Sequence, residues 1–104
     1  MVIVITHYRR PDMPAEEWNA RYTDDMAKRF VDMRGLMWKI WLDEPVEQLS
    51  GAIYLFETKA DAEAYIQGPA ITRMKANPDL IDVSVRIYDI RERMSEFTRA
   101  PLGQ

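Results

Sequence analysis

The chain changes its hydrophobic period several times, and each change marks an element. Residues 2–8 form a β-branched run suited to a buried strand, and they carry His7, the protein's only histidine. Arg9-Arg10-Pro11-Asp12 breaks that run. Pro14 suits the first turn of a helix, with Glu16 and Glu17 set against its positive end. Trp18, Tyr22, Met26, Phe30 and Met33 then recur at spacings of four, four, four and three. This predicts one apolar stripe along a single helix of about five turns, ending at Gly35. Arg21, Asp24, Asp25, Lys28, Arg29 and Asp32 fall mainly on its other faces and read as solvated surface.

Residues 35–57 read as two strands joined by a polar loop. The first, 36–43, alternates Leu36, Trp38, Ile40 and Leu42 with Met37, Lys39, Trp41 and Asp43. The second sets Ala52, Tyr54 and Phe56 against Ile53 and Leu55. Large apolar groups on both faces predict helices on one side and a partner sheet on the other. Each tryptophan brings an N–H that wants a partner, so the Trp38-Lys39-Ile40-Trp41 block points to a cavity or an interface as well as to plain packing. Thr58 reads as an N-cap, with Asp61 returning a capping-box bond. A short helix through Tyr65 and Ile66 is interrupted at Gly68-Pro69, and a further helical piece over 70–75 ends at Asn77-Pro78. Residues 80–90 give a fourth strand, alternating Val83, Val85 and Ile87 with Ser84, Arg86 and Tyr88. Beyond it no clear period remains. The order β-α-β-β-α-β predicts an α+β, ferredoxin-like domain over 1–104: a four-stranded antiparallel sheet with helices on one face. Residues 91–104 form an extension with two readings: Met94, Phe97 and Leu102 dock on a partner protomer, or the segment is mobile.

Composition narrows the function classes. A chain of 104 residues, 47% hydrophobic and 30% charged, makes one ordinary globular domain. A net charge of −3 argues against a nucleic-acid or anionic-membrane binder, which needs a basic face. Without cysteine there is no disulfide, thiolate metal site or cysteine nucleophile. No apolar run approaches bilayer length, and the N-terminus lacks the pattern of a signal peptide, so a cytoplasmic domain is expected.

The blocks GLMWKIWLDE, SGAIYLFETKADAEAYI, TRMK and VSVRIYDI resemble the YdhR-type monooxygenases of the dimeric α+β barrel superfamily. The resemblance runs from about Gly35 to Ile90; His7 also fits it, and the first helix matches only in outline. It implies a homodimer whose two sheets close a barrel, with an apolar cavity in each protomer between sheet and helices. It also implies oxidation of a small phenolic or polycyclic aromatic compound by molecular oxygen, with no cofactor: no flavin, haem or metal.

Such chemistry needs an oriented ring, assisted deprotonation and exclusion of water. Trp38, Tyr54, Phe56 and Tyr65 are the expected aromatic walls, with Tyr22 and Ala52 beside them. His7, Tyr54 and Arg73 are the expected catalytic groups: a base, a hydrogen-bonding hydroxyl and a cation for a developing phenolate. Lys39, Trp41, Ile53 and Leu55 are assigned to the dimer interface. Each has a plainer reading, as core packing for the aromatics and a structural hydrogen bond for His7. Haem degradation is disfavoured because no histidine follows residue 7, and one histidine with scattered carboxylates makes no metal site. Two alternatives stay open: an isomerase, cyclase or lyase that uses no oxygen, and a non-catalytic ligand-binding dimer.

Overall fold

A computed structural model describes residues 1–103. Strands β1 (Val2–Arg9), β2 (Leu36–Glu44), β3 (Leu49–Phe56) and β4 (Ile81–Asp89) form one antiparallel sheet in the order β2-β3-β1-β4. This is the expected ferredoxin-like sheet, with the two sequence-adjacent strands β2 and β3 filling one half. Helices α1 (Ala15–Asn19), α2 (Asp24–Lys28), α3 (Lys59–Ile66) and α4 (Pro69–Ala76) belong to the two crossovers, and α5 (Glu92–Phe97) follows the last strand.

Alternation on β1 decides which face is the core. Val2, Val4, Thr6 and Tyr8 are buried, while Ile3, Ile5, His7 and Arg9 point to the other side. Val2 and Val4 pack with Tyr54, Phe56, Ala62, Tyr65 and Ile71, so the main core lies between the sheet and α3–α4. Helix α3 is capped as its sequence suggests: the Asp61 amide donates to Thr58 Oγ1 at 3.1 Å. The Asp61 carboxylate accepts a hydrogen bond from the Thr58 hydroxyl at 2.9 Å rather than from the capping backbone, and it also meets Arg34 at 3.5 Å.

The first helical stretch is a correction. The predicted single helix is two short ones, because Thr23 adopts extended backbone and its Oγ1 accepts from the Met26 amide. Thr-Asp-Asp is a strong helix start, a cap with two acidic residues in the first turn, and it begins a second helix. The apolar stripe survives the break: Trp18 is buried and Tyr22, Met26, Phe30 and Met33 are half-buried.

A second correction sits at the start of β2. Leu36 pairs with Phe56 but Trp38 pairs with Leu55, so β2 advances two residues while β3 advances one. That bulge at Met37 turns every later side chain to the opposite face. Lys39 and Trp41 therefore stand opposite Tyr54 and Ala52 on the helix side, and Trp38, Ile40 and Leu42 occupy the open face. The expectation that Trp38 faces the helices while Lys39 and Trp41 face a partner sheet is overturned by this one inserted residue.

The C-terminal segment returns to its own protomer. Trp38 Nε1 donates to the Pro101 carbonyl at 2.7 Å, and Leu102 is buried. Met94 and Phe97 are 64% and 71% exposed on the protomer.

Candidate active site: an aromatic cavity on the helix side

The covered face of the sheet does not fill completely. Between β1–β3 and the helical layer lies a cavity of about 380 Å³. Its floor is Thr6 and Tyr8 from β1, Ala52 and Tyr54 from β3, and Lys39 and Trp41 from β2. Phe30 and Tyr65 close it from above, and Arg29 and Arg73 stand at its rim. Gly51 contributes by having no side chain, since a Cβ there would collide with the Thr6 carbonyl. Only glycine lets the two strands pass this close.

Lys39 is the unexpected group. Its Nζ lies 3.4 Å from the ring centroids of both Phe30 and Trp41 and 4.8 Å from that of Tyr54. Among the described residues the ion pairs are Arg9–Asp82 and Arg34–Asp61, so no carboxylate partners Lys39. Burial lowers its pKa from 10.5 to about 7. The ring faces work the other way, favouring the ammonium by their quadrupoles. The two effects leave an amine that can lose its proton near neutrality while remaining well held when charged.

The hydroxyls come in pairs. Tyr54 and Tyr65 meet oxygen to oxygen at 3.0 Å, and so do Tyr8 and Tyr22. Burial pushes the pKa of Tyr8, Tyr54 and Tyr65 upward, reinforced for Tyr8 by its bond to Tyr22 and for Tyr65 by Tyr54. They stay neutral phenols, suited to donating or accepting a hydrogen bond and not to removing a proton. Behind them, edge-on contacts run from Trp41 to Tyr22 to Trp18, with ring centroids about 6 Å apart. Trp18 is fixed in turn by its Nε1 donating to buried Ser50 Oγ at 3.1 Å.

The structure gathers some of the expected site residues and disperses others. Ala52, Tyr54, Tyr65 and Arg73 line the cavity. Phe56 stacks against Tyr54 at 6.2 Å from inside the core, and Tyr22 backs Tyr8 and Trp41, so these two support the wall without forming its surface. Ile53 lies half-buried on the open face with Trp38; Leu55 shares that side of the sheet but is fully buried within its own protomer, which corrects its assignment to a dimer interface. His7 is also on that face, exposed, opposite Gly51 and Ser84, and cannot reach the cavity through the sheet. Its assignment as the cavity base is corrected by the same alternation that buries Thr6 and Tyr8. That signal was present in β1, where His7 falls out of step with Val2 and Val4. Phe30 was marked by its place on the apolar stripe, whereas Lys39 and Trp41 carry no comparable signal, because the bulge turns them to this side.

The described residues contain no cluster of three or more metal-ligating side chains. Nor does any histidine stand in the cavity to serve as an axial haem ligand. Among them no helix is long and apolar enough to cross a membrane.

A four-stranded antiparallel sheet with a helical cover over an aromatic cavity defines an α+β domain of the ferredoxin-like class. The family model described as "Putative mono-oxygenase ydhR" matches residues 5–101, and the chain belongs to that family. No curated relative matches it. Among solved structures it is similar to a protein from Deinococcus radiodurans described as a "putative antibiotic biosynthesis monooxygenase", with TM-score 0.66, 12% identity, and 86% and 92% of the two chains covered. It is also similar to the heme-degrader MhuD from Mycobacterium tuberculosis, solved with two hemes in its active site. There the TM-score is 0.65 at 20% identity, over 88% of this chain and 96% of that one. A conserved protein from Methanosarcina mazei Go1 follows at TM-score 0.63 and 7% identity, covering 88% and 94%. At these identities the likeness is one of fold.

Proposed function

We propose that the protein is a cofactor-independent monooxygenase, which binds a small phenolic or polycyclic aromatic compound in the Lys39 cavity and oxidises it with molecular oxygen. The observation that carries this reading is the cavity itself: about 380 Å³ walled by Phe30, Trp41, Tyr54 and Tyr65, in a chain of a monooxygenase family. Its size lies within the range of small-molecule sites. Oxygenation without a cofactor makes the substrate the electron source. An anthrone-type methylene supplies all the electrons required, since one oxygen atom becomes the new carbonyl and the other leaves as water. The protein's part is to hold the ring, favour its deprotonated form and keep bulk water away.

The working unit in this proposal is a homodimer. Ile40 and Tyr88 are 48% and 46% exposed on the open sheet face, beside Ile5 and Ile53. A patch of this kind is what a second sheet would cover. Met94 and Phe97 are free to extend that contact.

Oxygen uptake with a panel of hydroxy-naphthalenes and anthrones, run beside an anaerobic control, tests the function. Uptake matched to quinone formation is the expected result. Turnover that persists without oxygen would replace this reading with an isomerase or lyase, which a near-neutral Lys39 also suits. Saturable binding with no product would leave a ligand-binding protein.

A further inference from the structure

The charges around the cavity are all of one sign. Lys39 lies in it and Arg29 and Arg73 at its rim, and its lining includes no Asp or Glu. This is unusual in a chain whose net charge is −3. None of the three cations is in an ion pair, the described pairs being Arg9–Asp82 and Arg34–Asp61. We infer that the cavity takes a phenol as its phenolate, and that Lys39 Nζ both removes the phenolic proton and then holds the oxygen as an ammonium partner. This rests on the reading of the cavity as the ligand site.

The proton balance is simple. The phenolic O–H breaks, its electron pair stays on oxygen, and a new N–H bond converts the Lys39 amine to ammonium. No electron changes hands. Burial among Phe30, Trp41 and Tyr54 prepares Lys39 for this, bringing its pKa to about 7. The groups facing it offer no competing acceptor of like strength. Tyr54 on β3, Tyr8 on β1 and Tyr65 on α3 stay protonated, Phe30 and Trp41 are apolar, and Arg29 and Arg73 are fixed cations. Once formed, the ammonium is held by the ring faces of Phe30 and Trp41 and by the new phenolate. The rim arginines add to the potential that draws an anion inward. The consequence bears on the oxidation, because a phenolate gives up an electron to oxygen far more readily than a phenol does.

Anaerobic titration with a naphthol, un-ionised in neutral buffer, tests the inference through its absorption spectrum. On binding to the full-length protein at neutral pH, the naphtholate band should appear. The naphthyl methyl ether, which has no proton to lose, should bind at least about tenfold more weakly, equivalent to about 1.4 kcal/mol. Lys39→Met should remain folded by circular dichroism, bind naphthol only un-ionised and lose the preference over the ether. Lys39→Arg should keep a preference for naphtholate supplied at alkaline pH, yet not generate it at neutral pH. The inference is overturned by an un-ionised spectrum in the wild-type complex, by equal affinity for the ether, by a naphtholate band that survives in Lys39→Met, or by no saturable binding. Oxygen plays no part in this measurement. Uptake of oxygen with an un-ionised bound naphthol would sink the role of Lys39 and spare the monooxygenase, and the reverse pattern would do the opposite.

Discussion

Lys39 and Trp41 stand two residues apart on the same side of β2, with the lysine Nζ 3.4 Å from the tryptophan ring centroid. A lysine and a ring at this spacing share a face only because the strand alternates, and they share the helix face only because Met37 is bulged out before them. The two strongest features of the cavity, its cation and its largest ring, are thus set by one backbone irregularity.

The protonation of Lys39 should be visible in stability. Its pKa is about 7 in the folded protein against 10.5 ordinarily. Between those values the unfolded chain binds more protons, so stability rises with pH from about 7 toward 10.5 and is flat in this group below 7. Urea denaturation across that window, compared with Lys39→Met, isolates the contribution. The wild type should gain relative to the variant as pH rises, and parallel profiles would mean that Lys39 titrates normally.

The buried hydroxyl pair Tyr54–Tyr65, at 3.0 Å, makes a second prediction. Tyr54→Phe leaves the Tyr65 hydroxyl without its partner, at a cost of about 1–3 kcal/mol. Tyr54→Phe/Tyr65→Phe removes both ends and should cost clearly less than the two single changes added together. A double-mutant cycle by chemical denaturation measures this. Strict additivity would mean that the two hydroxyls are satisfied elsewhere.

His7 is predicted to be dispensable for the chemistry. It lies on the far face of the sheet from the cavity. His7→Ala should therefore leave oxygen uptake within about twofold, the range of ordinary surface substitutions. A loss of an order of magnitude would return His7 to the catalytic role its imidazole first suggested.

Much of the fold was legible because local signals agreed with the tertiary structure. Thr58 and Asp61 start α3, Gly68-Pro69 divides it from α4, and β4 keeps an unbroken register with β1 from Ser84 to Asp89, the irregularity falling before it between Ile81 and Ser84. The site was read less well, and for two physical reasons. Thr23 is masked as a cap because Trp18, Tyr22 and Met26 keep helical spacing across it, and a stripe records which side chains face the core without recording whether the backbone turns between them. The bulge at Met37 leaves no mark in composition, since Leu36, Trp38 and Ile40 look like one continuous face. Trp38 was therefore expected in the cavity, whereas its N–H is taken by the Pro101 carbonyl on the other side.

The face that Trp38 does occupy supplies the last prediction, which separates the two jobs of the sheet. Ile5, Ile53 and Ile40 lie in one row across β1, β3 and β2 on the open face, away from the cavity. If two sheets pack there, Ile53→Glu buries a carboxylate with no partner, and a lone buried charge costs about 3–5 kcal/mol. Light scattering at micromolar concentration should then give the mass of a monomer for Ile53→Glu and of a dimer for the wild type. Trp41→Phe changes only the cavity side, so it should keep the dimer while weakening ligand binding. A dimer that survives Ile53→Glu, or dissociates with Trp41→Phe, would mean that the partner sits elsewhere and that the apolar row serves another contact.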